Sequence, residues 1–388
     1  MPVSLLVASS DQPFQEAIRD GLANTPGAKI ISEYHEVTPN LYIRVLQDLE
    51  RNPDAALIVD LANDPEGSLK AVEKIKLAAP GIYVIASNYH ADGETVIQSV
   101  RAGANDFILQ PLKRVDLRDA LARLERAPRR THVTESKLGK IYTFLGTKGG
   151  VGATTLAVNF AATLARLNRQ TVLVDLDFTA HDCAMQTGAS PQHSLQEVGE
   201  NLARLDQTLF EGLVVRDPSG FLLVGPPDHL EMRPHFSGAM FREFASFLVE
   251  RYEATVLDAG RWITDEVVLA ALESSSTIFL VISQQFPAIR NAQRYLGSLM
   301  RMGFTQDQVK IVINQYSKKP DANLATVEQI EQTLNQKVFF KFGASAAVVA
   351  AVNRGRPAVG AQGGEIEGSF GRFAEKAAGM QPAVAKTA

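Results

Sequence analysis

Along the first 126 residues, short apolar runs alternate with stretches whose apolar positions recur at helical spacing. The runs SLLVA, AKIIS, AALIVD, YVIAS and DFIL predict five strands separated by amphipathic segments. Strands that alternate with helical patterns imply a parallel sheet wrapped on both faces. A second and longer series follows, through KIYTFLG, QTVLVDLD, FLLVG, ATVLDAG, TIFLVIS, KIVIN and KVFF. Most of these runs are continuously apolar, as expected for strands buried on both sides.

Between the two series the stretch RAPRRTHVTESKLGK, residues 126–140, contains Pro128, several charges and little apolar material. It predicts a linker at 127–139, between a first domain at 1–126 and a second at 140–359. Beyond residue 360 the chain is rich in Gly and Ala, which predicts a short helix and then a mobile tail. The expected fold class is α/β, with two doubly wound parallel-sheet domains. Five strand–helix units in the first match the small flavodoxin-like order, whose ligand sites lie at the carboxyl ends of the strands.

Composition narrows the function classes. The chain has 388 residues, 45% of them hydrophobic and 21% charged, and its net charge is only −4. That is the profile of a globular protein with no dominant field, so wholesale nucleic-acid binding is not expected. The start, MPVSLLVASSDQPF, lacks a basic region followed by a long apolar one, and no stretch approaches the roughly 18 apolar residues of a membrane helix. The expected location is cytoplasmic. A single cysteine, Cys183, allows no internal disulfide and reads as a small core-filling side chain.

The chemistry concentrates at GTKGGVGATT, residues 146–155, between a predicted strand and a helical stretch. A phosphate-binding loop is written G-x-x-x-x-G-K-[ST], and its lysine reaches the β- and γ-phosphates. Ala153 occupies the lysine position. Lys148, Gly149, Gly150, Val151, Gly152, Ala153, Thr154 and Thr155 still provide backbone amides for an anion nest at a helix N-terminus. Asp175 and Asp258 each end a predicted strand.

Lys148 followed by GGVG-TT resembles the deviant Walker motif KGGxGKTT of the ParA/MinD family of partitioning and positioning ATPases. VLVDLD places Asp175 and Asp177 at that family's switch I aspartates, ATVLDAG places Asp258 at its Walker B aspartate, and KIVINQY places Asn314 at its adenine-recognising asparagine. The resemblance implies a P-loop NTPase domain using ATP and Mg²⁺. Thr154 and Asp258 would hold the metal, with Asp177 beside it and the attacking water, and Lys148 would reach across a nucleotide-sandwich homodimer. A lysine-to-phosphate bond is worth roughly 1.5–3 kcal/mol, and its charge also assists phosphoryl transfer. Its loss at Ala153 predicts nucleotide binding with slow or absent hydrolysis, at most a weak ATPase.

The first five units resemble the receiver domain of response regulators, with Asp60 at the phospho-acceptor position. The family's acidic pair is replaced by Ser9 and Ser10, its hydroxyl survives as Ser87, and its lysine becomes Gln110; only Asp11 remains nearby. Without the carboxylates and the lysine, neither metal nor phosphoryl group is well held. Asp60 then reads as a strand-end aspartate on a fold retained for docking.

A degenerate receiver joined to a lysine-less ParA/MinD-like domain resembles the TadZ/CpaE proteins of Tad (Flp) pilus assembly. The resemblance implies an ATP-bound homodimer at a cell pole, with pilus secretion components such as the secretion ATPase as partners. Two alternatives stay open: an interaction scaffold that ignores nucleotide, and a DNA-partitioning ATPase. The latter would use Arg290, Arg294 and Arg301, which fall within about 40° of one another on a predicted helix at 286–302. Peripheral membrane contact through Phe370 and Phe373 also stays open, although Gly371 and the scarcity of Lys and Arg argue against strong insertion.

Overall fold

The computed structural model describes residues 3–23, 27–37, 41–127, 138–227, 235–318, 323–360 and 364–378. The chain divides into two units, Met1–Lys137 and Leu138–Ala388. Residues 128–137 of the predicted linker and 379–388 of the predicted tail lie outside the described residues.

Unit 1 runs β1 (Val3–Ala8), α1 (Gln12–Ala23), β2 (Ala28–Tyr34), α2 (Leu41–Arg51), β3 (Ala56–Asp60), α3 (Pro65–Ala78), β4 (Val84–Asn88), α4 (Gly93–Arg101), β5 (Asp106–Leu109) and α5 (Arg114–Arg126). All five strands are parallel, in the order β2-β1-β3-β4-β5. Each falls on a predicted apolar run. Val3, Leu5 and Val7 face Phe14 and Ile18 of α1 and Leu117 and Leu121 of α5 across one core. Carboxylates mark the helix starts: Asp64 accepts from the Gly67 amide at 3.0 Å, and Asp92 from the Thr95 amide at 2.8 Å. Such caps satisfy amides that the helix itself cannot.

Unit 2 is built on β6 (Lys140–Gly146), β7 (Thr171–Asp175), β8 (Val215–Arg216), β9 (Leu222–Val224), β10 (Ala254–Asp258), β11 (Thr277–Ile282), β12 (Val309–Tyr316) and β13 (Val338–Gly343). Their order is β13-β12-β11-β6-β10-β7-β9-β8, parallel except for the short β8. The helices are α6 (Ala153–Arg166), α7 (Asp182–Thr187), α8 (Leu195–Glu200), α9 (Gln207–Leu213), α10 (Gly238–Arg251), α11 (Glu266–Glu273), α12 (Phe286–Arg301), α13 (Val327–Leu334), α14 (Ala346–Val352) and α15 (Glu365–Ala378).

The continuous apolar runs are explained by two cores, one on each side of this sheet. Along β11, Phe279 and Val281 pack with α6 and α15, while Ile278, Leu280 and Ile282 pack with α11 and α12. Strand β6 is central, with β10 and β11 on either side, so the loop that follows it sits where strand order reverses. Parallel sheets open a ligand crevice at that point.

The predicted short helix beyond residue 360 needs correction. Helix α15 has 14 residues, and Phe370, Phe373 and Ala374 are buried. The Phe373 ring meets those of Phe144, Phe160, Phe279, Phe340 and Phe342 at 4.8–6.1 Å between centroids. Gly and Ala content obscured an apolar stripe at 370, 373, 374 and 377 that has a core to fill. The two phenylalanines proposed for a membrane are spent inside the protein, where burying one such ring stabilises by roughly 1.5–3 kcal/mol.

Candidate functional site

The loop between β6 and α6 is held from outside, leaving its inner edge free. The Gly146 amide donates to the Gly260 carbonyl at 2.8 Å, and the Thr147 amide and hydroxyl both donate to the Val281 carbonyl. Asn291 donates to the Thr147 carbonyl at 3.0 Å. Farther along, Gln315 donates to the Gly150 carbonyl at 3.1 Å and Asn314 to the Val151 carbonyl at 2.9 Å. With these carbonyls tied to neighbouring strands and helices, the amides of Gly149, Gly150, Gly152, Ala153, Thr154 and Thr155 find no acceptor among the described residues.

Gly150 and Gly152 have φ of +80° and +87°, and a Cβ on Gly152 would lie 2.3 Å from the Asn314 amide nitrogen. Both positions therefore need glycine. Free amides around a left-handed turn at a helix start suit a phosphate chain. The methyl of Ala153 packs into the core with Val151, so residue 153 presents only its amide. Lys148 is exposed, with Nζ 3.4 Å from Oε1 of Gln285.

Beside the loop is a buried acidic cluster set by strand register. Asp258 on β10 is the pairing partner of Asp175 on β7, so two carboxylates end neighbouring strands abreast. Cys183 of α7 completes the group, and ligand atoms of the three residues all lie within 4.8 Å of one another. Asp175 accepts from the amides of Asp177 at 2.9 Å and Cys183 at 3.2 Å, and the Cys183 thiol lies 3.6 Å from Oδ2 of Asp258. Cys183 fills the core as expected, but it also points its thiol at a carboxylate.

Burial raises the Asp175 carboxyl well above the ordinary range, and the charge of Asp258 adds to this. Burial also pushes Asp258 up to about 6, opposed by hydrogen bonds from the Thr154 hydroxyl and the Gly260 amide. Burial, then both aspartates, keep the thiol protonated. Two like charges this close and this dry favour a proton or a cation between them. Thr154 and Asp258 thus come together, and their hard oxygen donors fit Mg²⁺. Asp177 does not join them directly; its Oδ1 accepts from the amide and hydroxyl of Thr179 in a local turn.

Asn314 and Gln315 also border a cavity of about 600 Å³, together with Gly152, Thr155, Leu156 and Phe342. It opens beside the start of α6 and is large and apolar enough for a purine base. Gln315 was not legible as a loop clamp in the sequence; its left-handed φ of +54° is the sign that its backbone is bent toward the loop.

Unit 1 shows the opposite arrangement at the end of its own β3. Asp60 is buried and accepts from the Ser9 hydroxyl at 2.6 Å, the Gln110 amide group at 2.8 Å and the Ala62 amide at 2.9 Å. Ser87 turns away and donates to the Ile108 carbonyl, Ser10 accepts from Asn63, and Asp11 accepts from Tyr89. Ser9 and Gln110 are the side-chain donors that close this carboxylate off.

A family model for the CobQ/CobB/MinD/ParA nucleotide binding domain matches residues 142–358. The septum site-determining protein MinD of Thermotoga maritima is 21% identical over 226 residues, which cover 57% of this chain and 81% of that protein. A ParA family ATPase from Chlorobium tepidum TLS shares the fold with a TM-score of 0.57 at 19% identity, over 62% of this chain and 98% of its own. The septum site-determining protein MinD from Pyrococcus horikoshii, solved with Mg-ADP, superposes with a TM-score of 0.53 at 16% identity, over 62% of this chain and 96% of its own.

Proposed function

The chain belongs to the CobQ/CobB/MinD/ParA nucleotide-binding family, and from that premise we propose that it is an ATP-binding, dimerising positioning factor for assembly of a Tad-type pilus at a cell pole. The observation that carries the nucleotide part is a phosphate cradle intact in every feature except the lysine that Ala153 replaces. Free amides at 149, 150 and 152–155 hold the phosphates, the cavity beside Asn314 takes the base, and Thr154 with Asp258 holds Mg²⁺. Bound there, Mg²⁺ would neutralise phosphate charge.

Hydrolysis asks more of the site than binding does. Charge developing on the γ-phosphoryl group is normally met by the loop lysine, and Asp177 is drawn into a turn with Thr179. Binding without rapid turnover follows, and the protein acts as a switch by what it holds.

Support for a dimer lies at the mouth of the loop. Trp262 is 52% exposed and Phe286 is 60% exposed, next in sequence to Arg261 and Gln285, which flank Gly149 and Lys148. Exposed aromatic rings beside free amides mark a surface that a second copy would cover. Lys148 would then serve the partner's nucleotide. The pilus assignment rests on the pairing of this domain with a five-stranded unit whose acidic site is closed.

The test is the light-scattering mass of the protein alone, with ADP–Mg²⁺ and with ATP–Mg²⁺, for wild type and Lys148→Ala, alongside phosphate release. The expected result is a dimer formed or tightened by ATP, lost in the variant, with little phosphate released. A mass unchanged in all conditions would leave only a scaffold.

A further inference from the structure

The lysine missing at position 153 leaves the phosphates without a side-chain cation from their own loop, and the structure offers a replacement from the turn after β10. Arg261 follows Asp258 by three residues. Its backbone is fixed on two sides. The preceding Gly260 accepts from the Gly146 amide at the start of the loop, and the Tyr295 hydroxyl donates to the Arg261 carbonyl. Gly260 itself has φ of +54°, and its amide donates to Asp258 at 3.3 Å, so the chain turns sharply toward the loop.

The side chain follows that turn. A Cβ built on Gly149 would lie 3.0 Å from Nη1 of Arg261, which places the guanidinium directly against the loop backbone. Its central carbon stands 5.1 Å from the centre of the Trp262 ring. Arg261 is exposed, and its guanidinium makes no hydrogen bond or ion pair among the described residues. Glycine at 149 is what allows this approach. Lys148, in contrast, has its Nζ near Gln285 at the start of α12.

We propose that Arg261 is the phosphate-binding cation of its own subunit, taking over from the loop lysine that Ala153 replaces. The proposal rests on the nucleotide reading above and divides the two cations of the mouth between two tasks. Arg261 meets the phosphates held by its own loop, and Lys148 remains for a partner. A guanidinium is suited to the first task, because its planar fork can engage two phosphate oxygens at once. Stacking on Trp262 keeps it poised beside the loop before any nucleotide arrives.

The experiment measures affinity for ATP–Mg²⁺ and ADP–Mg²⁺ by displacement of a fluorescent nucleotide, for wild type, Arg261→Met and Arg261→Lys. Met retains the stem over Trp262 without the charge. The expected result is a loss of about tenfold or more in ATP affinity for Arg261→Met, with part of it restored in Arg261→Lys. The emission of Trp262, the single tryptophan of the chain, should shift on nucleotide binding in wild type and less in Arg261→Met. Melting without nucleotide should be unchanged in both variants, because the side chain is exposed. Arg261→Met that binds ATP within twofold of wild type overturns the role of Arg261 while leaving the nucleotide reading intact. Arg261→Lys no stronger than Arg261→Met also overturns it, since charge would then be irrelevant. Wild type that binds neither nucleotide overturns both readings.

Discussion

Asp60 in unit 1 and Asp258 in unit 2 occupy equivalent places: each ends an inner strand of a parallel sheet, and each is buried, at 3% and 0% exposure. Their surroundings differ. Asp60 is met by a hydroxyl, a side-chain amide and a backbone amide at 2.6–2.9 Å. Asp258 is met by another carboxylate abreast of it, the Thr154 hydroxyl, a thiol at 3.6 Å and a backbone amide at 3.3 Å. Both oxygens of one carboxylate are taken by neutral donors. The other stands in a group that a cation would complete. Burial of an acidic residue therefore says little about function until its partners are counted.

The largest effect that would test this contrast is on stability. Asp60→Ala strands the Gln110 amide group in the core and leaves the Ser9 hydroxyl only the Asp11 carbonyl at 3.4 Å as acceptor, and at about 1–3 kcal/mol for an unsatisfied group it should destabilise unit 1 by roughly 2 kcal/mol. Urea melts read this directly, and a loss below about 1 kcal/mol would mean that the network is not holding the strand ends together. Asp258→Asn should do the reverse. Its amide can donate to Asp175 and relieves like charge, so melting without nucleotide should move by less than about 1 kcal/mol. The enhancement of ATP affinity by Mg²⁺ should fall about tenfold or more. An unaltered Mg²⁺ dependence would place the metal elsewhere.

A smaller effect is the pH dependence of the Asp175–Asp258 pair. Asp175 and Asp258 bind protons more tightly folded than unfolded. Their contribution to stability is therefore fully present below the unfolded value near 4, and is lost as pH rises through about 6 and above. Nucleotide-free wild type should lose stability over that range relative to Asp258→Asn. Parallel pH profiles for the two proteins would mean that the pair is not coupled.

Most of this architecture was legible as pattern. Apolar runs marked the inner strands, because a strand buried on both faces has no other way to be written. Glycines at 150 and 152 announced the left-handed turns of the loop. What pattern could not supply was adjacency. Asp175 and Asp258 lie 83 positions apart and become neighbours only through the order β10-β7. Arg261 reads as an ordinary exposed arginine until the bend at Gly260 turns it onto Gly149. The two-residue strand β8 is too short to show a period at all. The Gly- and Ala-rich end showed a short helix but concealed the length and burial of α15, because its apolar stripe continues past Phe370 and Phe373 in the small residues Ala374 and Ala377.

That last helix bears on where this domain ends. The family model matches as far as residue 358, yet Phe373 plugs the centre of the aromatic core between β6, α6 and β13. Asn159, inside α6, accepts from the amides of Ala358 and Val359 and thereby aims the chain toward that plug. The matched stretch and the packed core thus end at different residues. A chain cut at residue 358 would retain the nucleotide loop and lose the keystone behind it, so a fusion or a truncation should respect residue 378 rather than 358.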